Sequence, residues 1–300
     1  MGTRKIQRVS RSRPTIEGAG VHIKRAFGYH DMPSFDPFLL LDDFHSDNPE
    51  DYIRGFPWHP HRGIETITYV LRGDVEHGDS MGNTGVISAG DVQWMTAGSG
   101  IIHQEPRGDR DRVLQGFQLW ANLPAGHKMM PPRYREVKSE QIPEVRLDHG
   151  VRARIISGEV NGVAGPVRDI VIEPELIDVT VPSGTAYRHA IAREHTAFVY
   201  VIEGRARFQP ADAAHADKAD GKVESTDDSP SGAESLILFK EGDEIAVLAR
   251  EEGVRFLLVS GKPIGEPIAW RGPIVMNTDD ELAKAFEEYH RGEFLKREES

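Results

Sequence analysis

A block of this chain recurs: Val70-Leu71-Arg72-Gly73 returns as Val201-Ile202-Glu203-Gly204 at an offset of 131, and Ala89-Gly90-Asp91 returns as Glu241-Gly242-Asp243 at an offset of 152. Each first block is a branched apolar run closing on a turn glycine, so the chain reads as one β unit used twice. The 21 extra residues of the second copy fall within 209–234, where Val223 is the only branched aliphatic residue and Ala, Asp, Ser, Gly, Lys and Glu dominate. Such a segment cannot bury enough apolar surface to order itself, and a mobile surface insertion is expected there.

Elsewhere the hydrophobic period is two. The stretches 66–71, 113–120, 170–172, 198–202, 236–239 and 256–259 are rich in β-branched and aromatic residues and lie between turn formers, which predicts strands. One segment differs. Asn277-Thr278 followed by Asp279, Asp280 and Glu281 reads as an N-cap with an acidic first turn, and Leu282, Ala285, Phe286 and Tyr289 then recur at helical spacing. The expected fold is all-β with a single C-terminal helix. The expected domains are 1–136 and 137–300, with the insertion and the helix in the second.

Two short pairs carry the chemistry. His59 and His61, and His103 and Glu105, are each separated by one residue on predicted strands. Residues two apart on a strand point to one face, so four side chains from two strands can converge on one metal ion. At the offsets of the repeat their counterparts are Ala190, Ala192, Arg255 and Leu257, none of them a ligand, which predicts one metal-bearing and one metal-free unit. His189 and His195 flank no paired imidazole and read as surface or turn residues, and His77 reads as a hairpin residue.

The remaining chemistry is bounded by composition. There is no cysteine, so a transition metal must use imidazole and carboxylate, and disulfides, thiolate nucleophiles and Cys-held clusters are excluded. Lys and Arg total 36 against 48 Asp and Glu, a net charge of −12 that disfavours nucleic acid as a partner. The N-terminal Arg4, Lys5, Arg8, Arg11 and Arg13 are interleaved with Ile6, Val9 and Ile16 and read as a solvated segment. No apolar run reaches membrane-spanning length and no secretory h-region is present, so a cytoplasmic protein without membrane contact is expected.

The run from Gly55 to Tyr69 (Gly-Phe-Pro-Trp-His-Pro-His-Arg-Gly-Ile-Glu-Thr-Ile-Thr-Tyr), the run from Gly90 to Glu105, Asp36-Pro37-Phe38-Leu39-Leu40-Leu41-Asp42, and Pro273-Ile274-Val275-Met276-Asn277-Thr278 closely resemble the pirin family of the cupin superfamily. The likeness touches both halves in order and spacing. Against the general cupin pattern, the spacing from Gly98 to His103 is longer, and the carboxylate comes from Glu105. Glu65, an even step from His61, is then expected beside the site without being a ligand.

The resemblance implies a bicupin, two stacked jelly-roll β-barrels, with one divalent metal in the first held by His59, His61, His103 and Glu105. Iron is the ion it implies, while the ligands would also suit Mn, Ni, Cu or Zn. Similarity to bacterial pirins described as quercetin 2,3-dioxygenases implies a flavonol ring opened with O₂ and loss of carbon monoxide, Glu105 being the candidate base. A small aromatic substrate needs an apolar pocket, for which Phe56, Trp94, Phe117 and Leu119 are candidates. The family's eukaryotic members imply an alternative: an iron-dependent redox sensor that binds a protein partner without turnover.

Overall fold

The computed structural model describes residues 2–52, 54–106, 113–209 and 230–296. Most of the insertion expected over 209–234 lies outside the described residues. The chain begins with β1 (Ile6–Arg11), β2 (Arg13–Glu17), β3 (Val21–Phe27), β4 (Phe38–Ser46), β5 (Phe56–His61) and β6 (Ile64–Arg72). It continues through β7 (Val75–Asp79), β8 (Thr84–Ile87), β9 (Val92–Thr96), β10 (Ile101–Glu105), β11 (Leu114–Asn122) and β12 (Arg133–Val137). Then come β13 (Glu144–Arg146), β14 (Arg152–Ser157), β15 (Glu159–Val160), β16 (Val163–Ala164), β17 (Glu175–Val181) and β18 (Ala186–Ala190). The last are β19 (Thr196–Phe208), β20 (Ser231–Gly232), β21 (Ser235–Phe239), β22 (Glu244–Gly261), β23 (Ala269–Arg271), β24 (Ile274–Met276) and the helix α1 (Asp279–Arg291).

Contacts gather these elements into two compact units, each discontinuous in sequence: Arg13–Gln141 with Ile264–Ser300, and Met1–Ser12 with Ile142–Pro263. This differs from a cut at 136/137, because both chain ends cross over. In the second unit β1 pairs antiparallel with β21, and buried Arg4 donates to the carbonyls of Ala192, Arg193, His195 and Lys240. Arg4 is therefore built in, while Lys5, Arg11 and Arg13 remain exposed as expected of a solvated stretch.

In the first unit the C-terminal stretch is the part that returns. Val275 N–H donates to the Arg62 carbonyl, and buried Arg62 donates to the Ser99 carbonyl, the Glu288 carboxylate and the Phe294 carbonyl while its guanidinium lies over the Phe294 ring. Lys128, also buried, donates to the Gly63 and Val275 carbonyls and to Asn122 Oδ1. The helix starts as its sequence predicts. The Thr278 hydroxyl accepts from Glu281 N–H in a capping box, and Gly292 closes the C-terminus in the left-handed region.

The repeat is visible in strand order. The first unit's main sheet runs β12-β9-β6-β11-β4-β3-β2, and the second unit's runs β1-β21-β19-β22-β17-β14-β13. A four-stranded sheet, β5-β10-β7-β8, completes the first unit. The span 170–172 is no strand: Ile170 and Ile172 are buried as anchors beside a turn, and the strand begins at Glu175. Among the described residues no helix is long and apolar enough to cross a membrane.

Candidate metal centre

β5 and β10 are antiparallel neighbours, with His103 opposite His59 and Ile101 opposite His61. Alternation puts His59 and His61 on one face and His103 beside them, so two-residue spacing on two paired strands brings three imidazoles together. Their ligand nitrogens all lie within 4.8 Å of one another, and the ring centroids are 4.3 to 5.0 Å apart.

The tautomers follow from the partners. His59 Nδ1 is 2.8 Å from the Pro57 carbonyl oxygen and His61 Nδ1 is 3.0 Å from that of Pro273. A carbonyl only accepts, so each Nδ1 carries the proton and each Nε2 is a bare lone pair. The two Nε2 atoms stand 3.1 Å apart with no proton to share, and His103 Nε2 is buried without a hydrogen-bond partner. Two lone pairs at this distance repel unless a cation lies between them, and with the unpartnered His103 nitrogen they form the kind of imidazole set that ligates a metal, two of the rings being anchored through their other nitrogen. Burial lowers the pKa of all three rings, well below the usual range for His61 and His103, so they stay neutral and able to ligate. The donor set fits a divalent first-row metal.

Glu105 stands differently. The register of β10 on β5 shifts between His103 and Glu105, so Glu105 lies opposite Phe56, and it is not in the group of three. Its Oε1 is buried without a partner, it lines the same cavity, and burial pushes its carboxyl up to about 7.

That cavity encloses about 780 Å³. Phe56 lines it as expected, together with Phe44, Tyr52, Trp58, Trp120 and Trp270. Trp94, Phe117 and Leu119 do not. The cavity side of β11 is the face of Leu114, Gln118 and Trp120, whereas Phe117 and Leu119 are buried on the opposite face. Both faces of this strand are apolar, so alternation alone could not choose between them. Also missed was a bidentate pair, Arg25 Nε and Nη2 donating to the two oxygens of Asp42 at 2.8 Å, because its members are 17 residues apart on different strands.

Glu65 is not beside the metal centre. Gly63, with φ of +77°, turns the chain between β5 and β6, and the Glu65 carboxylate accepts from Trp94 Nε1 at 2.9 Å and from the Thr96 hydroxyl at 2.7 Å. The counterparts of the ligands also change. β18 pairs with the first part of β22, setting Ala190 opposite Glu244 where the first unit sets His59 opposite His103, so Glu244 and not Arg255 matches His103. Glu244 is engaged by Arg188. His189 and His195 are buried and not at the surface, with His189 between the Tyr187 hydroxyl and the Glu175 carboxylate. His77 lies in the β7–β8 hairpin, 2.7 Å from the Tyr134 hydroxyl.

The family model described as Pirin matches residues 20–121, and that described as Pirin C-terminal cupin domain matches residues 176–295. A pirin-like protein of Caulobacter vibrioides is 41% identical over 98% of this chain and 100% of its own length. Pirin-1 of Arabidopsis thaliana is 38% identical over 91% of this chain and 88% of its own. Among solved structures, a quercetin 2,3-dioxygenase from Acinetobacter baumannii matches with a TM-score of 0.83 at 30% identity, covering 97% of this chain and 98% of that one. A bacterial pirin of Escherichia coli in complex with nickel(II) shares the fold at a TM-score of 0.61 and 20% identity, covering 85% of this chain and 99% of that one.

Proposed function

The chain belongs to the pirin family, and from that premise we propose that it is a metal-dependent dioxygenase opening the ring of a flavonol such as quercetin with O₂. The observation that carries the reading is the convergence of three imidazoles in an aromatic-walled cavity, two with bare Nε2 atoms 3.1 Å apart and the third with a buried Nε2 that has no partner. His59, His61 and His103 would hold the metal, with Fe(II) the proposed ion and Glu105 the carboxylate at the same site. A divalent metal held by these residues would supply Lewis acidity toward a substrate hydroxyl and a site for O₂.

The protein's own residues do the rest. Glu105, on the cavity wall with a buried oxygen that has no partner, can take the proton of the flavonol 3-hydroxyl and return it after ring opening. Its place outside the group of three favours proton transfer over tight ligation. Phe56, Trp120 and Trp270 offer flat apolar walls that exclude water and orient an aromatic substrate. The Nδ1–H bonds to Pro57 and Pro273 hold two imidazoles in the ligating tautomer throughout.

The test is anaerobic reconstitution of metal-free protein with Fe(II), Mn(II), Ni(II), Cu(II) or Zn(II), followed by O₂ and quercetin. A redox-active ion should give O₂ uptake, quercetin loss and carbon monoxide, Zn(II) should give none, and His103→Ala should lose metal and turnover together. Ions that bind in stoichiometric amount but never support O₂ uptake would overturn the proposal. Partner binding that changes with metal oxidation state, without product, would establish the redox-sensing role instead.

A further inference from the structure

One row of side chains lining the cavity is polar, while the cavity-lining members of the rows beside it are apolar. Strand register sets Arg25 beside Asp42, Asp42 beside Gln118 and Gln118 beside Thr68 on four neighbouring strands, and all four line the cavity. In one direction the next row holds Leu40 beside Trp120, whose ring is 5.0 Å from that of His61. In the other, Phe44 lies beside Gly116, where a Cβ would come within 2.5 Å of the Phe44 ring. Same-face rows are about 7 Å apart along a strand. A flat ligand with one end at the three imidazoles therefore crosses Trp120 before its far end meets the polar row.

The chemistry of the row is selective. Arg25 uses Nε and Nη2 on Asp42 and reaches Glu17 through Nη1 at 2.8 Å, so two carboxylates outweigh one guanidinium. Bidentate pairing leaves each Asp42 oxygen a lone pair, and the Thr68 hydroxyl occupies Gln118 Oε1 at 2.7 Å, which leaves the Gln118 amide hydrogens as donors. Such a row accepts from hydroxyls, donates to a phenolic or carbonyl oxygen, and repels a carboxylate. Covering it with an apolar ring would leave the Gln118 amide hydrogens and the spare Asp42 lone pairs unmet, which binding sites of this kind reject.

We propose that the Arg25–Asp42–Gln118–Thr68 row is a specificity subsite that binds the ring hydroxyls of a polyhydroxylated, uncharged aromatic at the end remote from His59, His61 and His103. It deepens the dioxygenase reading and rests on it. The test is equilibrium binding to Fe(II)-loaded protein without O₂, read by tryptophan fluorescence, for quercetin against 3-hydroxyflavone, which keeps the 3-hydroxyl and lacks the distal ones. Quercetin should bind about tenfold tighter or more, as expected for charge-assisted hydrogen bonds. Gln118→Leu should cut that ratio to within about threefold, and Asp42→Asn, which preserves shape, should narrow it as well. A ratio near one in the unaltered protein, or one that survives both substitutions, removes the subsite and leaves the dioxygenase reading standing. Failure of both compounds to bind removes that reading and the subsite with it.

Discussion

His61 Nδ1 lies 3.0 Å from the carbonyl oxygen of Pro273, a residue 212 positions further along the chain. The tautomer of one imidazole is thus set by the segment that returns from the C-terminal end, just before β24. In the proposed metal centre, metal affinity and the docking of that segment should be coupled through this one hydrogen bond.

Gly63 makes the coupling testable. A Cβ there would overlap the Val275 carbonyl oxygen, and φ of +77° already disfavours a side chain. Gly63→Ala should displace the returning segment, costing about 3 kcal/mol in denaturant unfolding. Metal affinity, measured by chelator competition, should fall about 10- to 100-fold. Unchanged affinity in a destabilised variant would break the proposed link.

Glu65 should behave as a structural residue. Its carboxylate holds Trp94 and Thr96, so Glu65→Gln should lower stability by about 1–3 kcal/mol. Metal content measured by mass spectrometry should stay at the wild-type level. A folded variant with depleted metal would return Glu65 to the site.

Lys128 presents its amino group, pushed down to about 7 by burial, to three acceptors, the Gly63 and Val275 carbonyls and Asn122 Oδ1. Lys128→Met keeps the apolar stem and strands all three. A loss of about 3 kcal/mol or more is expected by thermal and denaturant unfolding, since breaking a buried charge–dipole cluster leaves desolvated groups uncompensated. A neutral outcome would show that water replaces the amine.

Asp42 supplies a pH dependence. Burial raises its carboxyl to about 6 from 3.8, outweighing the Arg25 contacts that lower it. Between those values the folded state binds more protons than the unfolded one, so this group's contribution to stability falls as pH rises from about 4 to about 6. Asp42→Asn should flatten that part of the profile in denaturant unfolding at successive pH values. Parallel profiles for the two proteins would contradict the assignment.

Much of this was legible in residue order. Spacing by two along predicted strands marked His59, His61 and His103, because side-chain parity is a local property of extended backbone. The capping box at Thr278 and Glu281 marked the helix for the same reason. Glu65 escaped because parity is lost across the Gly63 turn, and Trp94, Phe117 and Leu119 escaped because a strand buried on both faces does not say which face borders a cavity.

Residue order alone thus carries the strand-rich repeat, the terminal helix and the spacing of His59, His61 and His103, all consequences of local backbone geometry and hydrophobic period. The folded chain adds that residues 1–12 belong with 142–263 and residues 264–300 with 13–141, that Arg25 meets Asp42, and that Pro273 sets the proton on His61. Those are contacts between residues far apart in the chain, and no local propensity encodes which distant carbonyl or carboxylate will arrive.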